Sequence, residues 1–282
     1  MIARHSSFLP PSEALEFADG LWRPRHISEV SYPDEGNDGS FQIEENSYWF
    51  AHRGACIARA IHEHPPSGTV YDIGGGNGYV TKVILDNGFD AVLVEPGSGA
   101  SNAIKRSVPN VIHSTLGDCA FRPGSLAAAG AFDVVEHIED DLDFLKMLHA
   151  ALEPGGRFYA TIPAGQWLWS GDDIYAGHFR RYSPGSWSET LRQAGFEIEY
   201  ATHLFSWLTV PLAFYRALPF HMSLGARRNH IKCDLEAARS DHRLPKMFAN
   251  PVSLIHEWEL GFIARRKSIP FGSSLLSVAR RV

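Results

Sequence analysis

The amino-acid sequence predicts an α/β protein built on a mainly parallel sheet. Three observations carry this. Short β-branched runs alternate with segments of helical spacing, the pattern of successive βαβ units. The first run, TVYDI (69–73), passes at once into the glycine-rich GGGNG (74–78). The last run, SSLLSVARRV (273–282), has no helix after it, so it is expected to enter the sheet antiparallel.

The elements follow in order. Residues 1–45 show no sustained period, and SYPDEGNDGS (31–40) is turn material; this stretch is expected as an N-terminal extension. Asn46 or Ser47 caps a helix through YWFAHRGACIARAIHEH, which Pro65-Pro66 stops. TVYDI is short, β-branched and bounded by glycines, hence a buried strand. YVTKVILDNG (79–88) is helical and ends on Asn87-Gly88. DAVLVE (90–95) is the second strand, SGASNAIKRSV (98–108) a helix, NVIHST (110–115) the third strand and GAFDVVEH (130–137) the fourth. In DDLDFLKMLHAALEPGG (140–156), Leu142, Leu145, Leu148 and Leu152 share a face, and aspartates occupy the positive N-terminal end. RFYATIP (157–163) is the fifth strand. SPGSWSETLRQAGF (183–196) opens with Ser183 as cap and Pro184 at the first helical position. EIEYATH (197–203) is the sixth strand. About seventy residues of helical patterning separate it from the last one. The expected division is an extension (1–45), a sheet domain (46–203 and 272–282) and a helical lid or cap (204–271).

Composition is that of an ordinary soluble chain: 282 residues, 44% hydrophobic and 21% charged. The net charge of −6 hides an asymmetry. Residues 1–199 carry 14 basic and 27 acidic groups, residues 200–282 carry 12 and 5. The two regions either face different partners or pack on each other. The three cysteines are far apart and form no CxxC, which argues against a disulfide framework or a zinc site and fits a reducing compartment. The N-terminus lacks an apolar signal core. The longest uncharged apolar stretch, YATHLFSWLTVPLAFY (200–215), is shorter than the ~20 residues a spanning helix needs and holds Pro211. A cytoplasmic location is expected.

In open α/β sheets, ligands bind at the carboxyl ends of the strands. Glycine there lets backbone approach a ligand closely. The pattern is Gly74-x-Gly76-x-Gly78, preceded by Asp72. It departs from the dinucleotide GxGxxG, whose sixth position is Tyr79 here. Glu95 ends the second strand, about twenty residues on, where an acid can accept both hydrogen bonds of a ribose diol. A nicotinamide oxidoreductase is the first alternative, although no Tyr-x-x-x-Lys is present.

These residues carry a resemblance. DIGGGNG resembles the first motif of class I S-adenosylmethionine-dependent methyltransferases, LVEPG the second, and LGDC (116–119) the adenine-contacting loop. AFDVVEHIEDD resembles the fourth-strand segment, and LEPGGRFYATIP the fifth strand with its preceding turn. NSYWFAHRGA, GHFRRYSPGSW and PFGSSLLSVARR resemble a bacterial small-molecule branch of the same family, of the type 11/12 kind. The resemblance implies a Rossmann-like seven-stranded sheet with an antiparallel last strand. It also implies roles. Asp72 and the glycine turn hold the methionine end of S-adenosylmethionine, and Glu95 its ribose. Asp118 bonds the adenine amino group, and Cys119 supplies a nearby backbone contact. Phe132 and Asp133 line the methionine moiety, and Arg53, on the first helix, meets the cofactor carboxylate. S-adenosylhomocysteine is the product.

Methyl transfer from a sulfonium needs mainly alignment, because the cofactor carries the reactive charge. A hydroxyl or ammonium acceptor must also lose a proton, and histidine suits neutral pH. His137 and His178, on loops after the fourth and fifth strands, are the candidate bases; each has a structural alternative as a hydrogen-bonded loop residue. Arg180 and Arg181 either clamp an anionic substrate or pair with Asp172 and Asp173. Tyr182 either orients a substrate or packs. The segment 204–232, aromatic and then basic at Arg227, Arg228 and Lys232, is a lid, a contact with an anionic membrane surface, or a homodimer face. HEH (62–64) and HEWE (256–259) lack metalloprotease spacing, so no metal is expected. No nucleic-acid-binding motif is present, and nucleic acid is not the expected partner. The expected activity is methyl transfer to a small molecule, apolar or anionic. The second alternative is a catalytically silent protein that keeps the cofactor fold.

Overall fold

The computed structural model describes residues 8–28, 40–222 and 246–282. In chain order the elements are strands Glu16–Ala18 (β1) and Leu21–Arg23 (β2), helix Tyr48–Glu63 (α1), strand Val70–Ile73 (β3), helix Tyr79–Asp86 (α2), strand Ala91–Val94 (β4) and helix Gly99–Lys105 (α3). Strands Val111–Ile112 (β5) and Leu126–Phe132 (β6), helix Asp141–Ala151 (α4), strand Leu152–Pro163 (β7), and helices Gly171–Ala176 (α5) and Pro184–Gln193 (α6) follow. Strand Phe196–Leu204 (β8), helix Lys246–Ala264 (α7) and strand Ser274–Arg281 (β9) complete the fold. A helical run over 206–222, with a π-helical turn at Ala213–Ala217, leaves the end of β8.

One sheet runs in the order β1-β2-β5-β4-β3-β6-β7-β9-β8. Strands β3 to β7 pair in parallel, while β9 lies antiparallel between β7 and β8. The expected seven-stranded core is therefore present. The strand count needs one correction: the N-terminal residues add a hairpin, β1–β2, whose second strand pairs in parallel with β5. Its turn is Asp19-Gly20, both at positive φ (54° and 84°), the two-residue geometry that Asp-Gly favours.

Strand β3 shows why both faces are covered. Tyr71 and Ile73 enter one apolar cluster, with Leu145 and Leu148 of α4 and Trp187 of α6. Val70 enters the other, with Ile57 and Ile61 of α1 and Ile84 of α2. A parallel strand buried on both sides reads as a near-continuous apolar run; all four residues of β3 are buried, and Asp72 is its one charged member. Two caps are predicted ones, at Ser47 and Ser183, and Asp140, read from the sequence only as a charge at the positive helix end, is a third. Ser47 Oγ accepts from the N–H groups of Trp49 and Phe50, so Ser47 rather than Asn46 starts α1. Asp140 caps α4, and Ser183 caps α6 with Pro184 at its first position.

The fourth strand is displaced from its predicted place. It runs over Leu126–Phe132, not 130–137. Asp133 takes a positive φ of 58°, which breaks the ladder, and Val135–His137 forms a 3₁₀ turn. The small LAAAG side chains let β6 sit between β3 and β7.

The charge asymmetry is met partly by internal pairing. Arg216 reaches Asp172 at 2.7 Å and Arg280 reaches Glu197 at 2.9 Å. Arg227, Arg228, Lys232 and Cys233 lie outside the described residues. Cys56 and Cys119 are buried free thiols. Among the described residues, no helix is long and apolar enough to cross a membrane.

Helix α7 returns to the sheet through a buried clasp. Glu259 accepts from the Phe205 N–H (3.0 Å), the Ser206 N–H (2.8 Å) and the Ser206 hydroxyl (2.6 Å). Its carboxylate also bonds His52 Nε2 of α1 at 2.7 Å. His256 stacks on His52 with ring centroids 3.7 Å apart. Burial, with His52 alongside, pushes the His256 imidazole down to about 4, so the stacked ring is neutral.

Candidate cofactor and acceptor site

The carboxyl ends of β3, β4, β6 and β7 form one edge, and most of the sequence-predicted site residues lie along it. After β3 the chain turns through Gly74, Gly76 and Gly78, all at positive φ (70°, 54° and 73°). Such a turn requires glycine, since side chains rarely adopt that region. It puts backbone, not side chain, at the crevice. Asp72, fully buried beneath the turn, accepts from Thr81 Oγ1 at 2.6 Å through Oδ2. Its Oδ1 has no hydrogen-bond partner. Burial pushes this carboxyl up to about 6, against the Thr81 hydrogen bond and the Arg53 charge. A buried acceptor left open beneath a glycine cradle fits a cationic amino-acid end of a cofactor.

Glu95 stands beside the turn. Its carboxylate accepts the N–H groups of Gly76 and Gly97, each at 2.8 Å, and so fixes the turn to the end of β4. Asn77, inside the glycine motif, donates to Glu44 Oε1 (3.0 Å) and accepts from Asn102 (3.0 Å). Glu44 in turn pairs with Arg106 at 2.7 Å. This Asn77–Glu44–Arg106 tie joins the segment before α1 to the turn, and sequence reading missed it: the partners are 29 to 62 residues apart.

The loop carrying Asp118 and Cys119 differs from expectation in detail. The Asp118 carboxylate accepts from the Ser28 N–H (2.7 Å), the Ser28 hydroxyl (2.9 Å) and Thr115 Oγ1 (2.7 Å). These bonds, the Ser28 N–H first, hold it below the usual carboxylate range. The Cys119 N–H is spent on the Thr115 carbonyl at 3.1 Å. The loop thus closes on itself at the Cys119 N–H. Phe132 is buried at the end of β6. Asp133 faces α1 and forms an ion pair with Arg53. The Arg53 guanidinium lies 4.7 Å from the Trp49 ring centroid. Burial lowers it to about 10, while Asp72, Glu44 and Glu136 favour its charge; it stays cationic at neutral pH.

Beyond β6 and β7 lies a second group. The rings of His137 and His178 meet edge to face, centroids 4.7 Å apart. His178 Nδ1 sits 2.9 Å from Asp173 Oδ1, and Arg181 Nε reaches the same oxygen at 2.7 Å. Asp173 Oδ2 accepts the Ser170 N–H at 2.8 Å, closing the capping box of α5. Glu136 stands beside both histidines, 1% exposed, with Oε2 unpaired. Burial pushes its carboxyl up to about 8. Burial and the neighbouring His178 push His137 down to about 4. Sequence reading named both histidines and missed Glu136, although it adjoins His137 at the strand end. Asp173 was read only as a partner for the arginines.

The three substrate candidates find partners within the chain. Tyr182 is 3% exposed, packs on Trp187 and donates to Asp141 Oδ2 at 2.6 Å. Arg180 pairs with that same Asp141 at 2.7 Å, not with Asp172. Arg181 is held by Asp173, as one alternative foresaw. Carboxylates already neutralise both arginines, so neither stands open as an anion clamp.

Comparison with known proteins decides the family. A family model described as a methyltransferase domain matches residues 46–201, more than half of the chain. The chain belongs to that family. A relative from Mycolicibacterium smegmatis (strain ATCC 700084 / mc(2)155), named "Probable S-adenosylmethionine-dependent methyltransferase", is 26% identical over 161 residues. The match covers 56% of this chain and 62% of the relative, so the chain spans less than two thirds of that relative's length. Two solved structures share the fold. One is the methyltransferase in complex with the Haloferax volcanii Trm112 activator, with TM-score 0.55 and 16% identity over 88% of this chain and 95% of that one. The other is Haemonchus contortus phosphoethanolamine N-methyltransferase 2 in complex with S-adenosylmethionine, with TM-score 0.54 and 16% identity over 92% of this chain and 61% of that one. The methyltransferase domain is thus of the class I, S-adenosylmethionine-dependent kind, and the nicotinamide alternative is set aside. The glycine turn, Asp72 and Glu95 of this methyltransferase lie together at the strand-end edge.

Proposed function

We propose that this chain transfers the methyl group of S-adenosylmethionine to a small-molecule acceptor held at the strand-end edge, beside Glu136, His137 and His178. One observation carries the reading. The cofactor cradle after β3 and the polar group after β6 and β7 open on the same edge, joined by Arg53 and Asp133. Asp72 and the glycine turn hold the cofactor's methionine end, and Glu95 its ribose. Asp118 and Phe132 border the adenine and methionine portions. The cofactor supplies an electrophilic methyl on a charged sulfur; the protein aligns the acceptor with it.

The acceptor's proton leaves toward the polar group. His137, at about 4, is a weak base. His178 is oriented by Asp173, the arrangement that fixes a tautomer and leaves the outer nitrogen to accept. His178 is therefore the better acceptor of the two. With the arginines paired, an apolar or neutral acceptor fits better than an anionic one. The helical run over 206–222 borders this side through Arg216–Asp172, which suits a lid.

The test is calorimetric titration with S-adenosylhomocysteine, NADH and NADPH, followed by labelled methyl transfer to a panel of small hydroxyl and amine acceptors. Binding of the first alone and label transfer are expected. His178→Ala should lower kcat by about 10²–10⁴-fold while S-adenosylhomocysteine affinity holds. Binding without transfer to any acceptor would favour the silent alternative.

A pH dependence follows from Asp72. Its ionised form attracts the cofactor ammonium, with Thr81 and Arg53 as its other neighbours. Affinity for S-adenosylhomocysteine should therefore fall as pH drops through about 6. Between pH 8 and pH 5 the expected loss is about tenfold, the fraction of Asp72 that stays ionised. Asp72→Asn should flatten the profile; an unchanged slope would remove Asp72 from the ammonium site.

A further inference from the structure

We propose that Glu136, His137 and His178 bind a divalent transition-metal ion at the edge of the cofactor site. Their ligand atoms lie within 4.8 Å of one another. An ion bonded at about 2.1 Å draws three such atoms inside that separation by small torsional adjustments. The sequence argument against a metal looked for closely spaced ligands in one helix. Here the third ligand comes from beyond β7, 41 residues after His137, and only the fold delivers it.

Two further observations point to a ligand. Glu136 is 1% exposed, and its Oε2 has no hydrogen-bond partner. A buried carboxyl group with an unmet oxygen carries a desolvation cost, which a cation taking the place of its proton would relieve. The histidines are also prepared from behind. His178 Nδ1 faces Asp173 Oδ1 at 2.9 Å, and Arg181 and the Ser170 N–H hold Asp173 ionised and still. The proton then resides on Nδ1, and Nε2 keeps its lone pair. His137 is held in turn by backbone at Ala176 and Gly177. Metal-ligating histidines are supported in this way, by a carboxylate or a carbonyl on the far ring nitrogen.

Two imidazoles and one carboxylate suit Mn²⁺, Fe²⁺, Co²⁺ or Zn²⁺ better than Mg²⁺ or Ca²⁺, which prefer oxygen throughout. Three protein ligands leave a coordination position open. This inference rests on the reading of the site given above and names what activates the acceptor. A hydroxyl bound to the ion loses its proton to solvent more readily. Its oxygen then forms the bond to the methyl carbon as the carbon–sulfur bond breaks, the electron pair passing to sulfur. The ion replaces one step of that reading: with it bound, His178 is a ligand and the proton goes to solvent rather than to its ring.

The experiment titrates Co²⁺ into chelator-treated full-length protein, followed by equilibrium dialysis and by visible absorption. One Co²⁺ per chain is expected. Glu136→Gln should weaken it at least about 100-fold, and Asp173→Asn, which acts through His178, by about 10–100-fold. Thermal melting of the same samples shows whether the variants fold. Histidine ¹⁵N spectra of the wild-type chain need no variant: Zn²⁺ should shift two imidazoles. Absence of stoichiometric binding, or equal affinity in Glu136→Gln, or no shifted imidazole, overturns the proposal. S-adenosylhomocysteine titration of the wild type separates the two readings. Metal binding without it leaves the site standing and removes methyl transfer; the reverse removes the metal alone.

Discussion

Glu259→Ala is expected to lower the unfolding free energy by about 3–5 kcal/mol, the range seen when one partner of a buried charged network is removed. Glu259 is fully buried and accepts four bonds: His52, the Phe205 N–H, and both the N–H and hydroxyl of Ser206. A carboxylate has about four acceptor sites, so this one is saturated. Alanine leaves those donors in a space that water does not reach, and each lost partner carries a desolvation penalty. For a chain of this size the melting temperature should fall by about 10 °C. Ser206→Ala removes one hydroxyl donor and should cost only about 1 kcal/mol. Burial alone would raise the Glu259 pKa, but the His52 and Ser206 bonds hold it below its ordinary value. Its stabilisation is therefore present above the ordinary glutamate pKa and is lost as pH falls through the depressed one. Thermal melts of both variants at neutral pH decide the matter. A loss under about 1 kcal/mol for Glu259→Ala would mean that the clasp contributes nothing beyond packing.

Gly75→Ala is expected to weaken S-adenosylhomocysteine binding by about 100-fold, the equivalent of ~3 kcal/mol at the upper end of overpacking costs. The reason is space, since Gly75 lacks the positive φ of its neighbours. A methyl group there would stand 2.5 Å from Asp72 Oδ2 and 2.5 Å from Leu93 Cδ1. Neither neighbour has room to yield. Asp72 is fully buried and tied to Thr81, and Leu93 is fully buried in β4. The turn must lift, and with it the backbone proposed to cradle the cofactor. Gly88→Ala is the control. Gly88 also has positive φ, at 85°, but a methyl group there meets nothing within 4 Å. It should cost about 1 kcal/mol of stability and leave affinity unchanged. Titration calorimetry of both variants is the check; equal affinity in Gly75→Ala and wild type would show that the turn does not touch the cofactor.

Much of the fold was legible because its signals are local. Ser47, Asp140 and Ser183 cap helices through bonds to residues two or three positions away. The apolar run of β4 and the β-branched TVYDI around β3 announce strands buried on both faces. The hairpin β1–β2 was missed, since its strands have three residues each and show no period. The fourth strand was misplaced because VVEH looks β-branched, while LAAAG does not. Small residues win there because β6 lies in the sheet interior, where Gly130 faces the Phe132 ring.

The sequence by itself determined the α/β class, the glycine turn with Asp72 and Glu95, and the chemical types of the candidate residues. These depend on backbone preference and on spacing within one βα unit. Tertiary structure alone decided the company each side chain keeps. It gave Arg180 and Tyr182 to Asp141, turned Arg181 onto Asp173, and set Glu136 against two histidines from different loops. It also joined His52 to Glu259 across 207 residues. The physical reason is that charge pairing and desolvation act over a few ångströms of space, and chain separation does not encode that distance until the strands have paired.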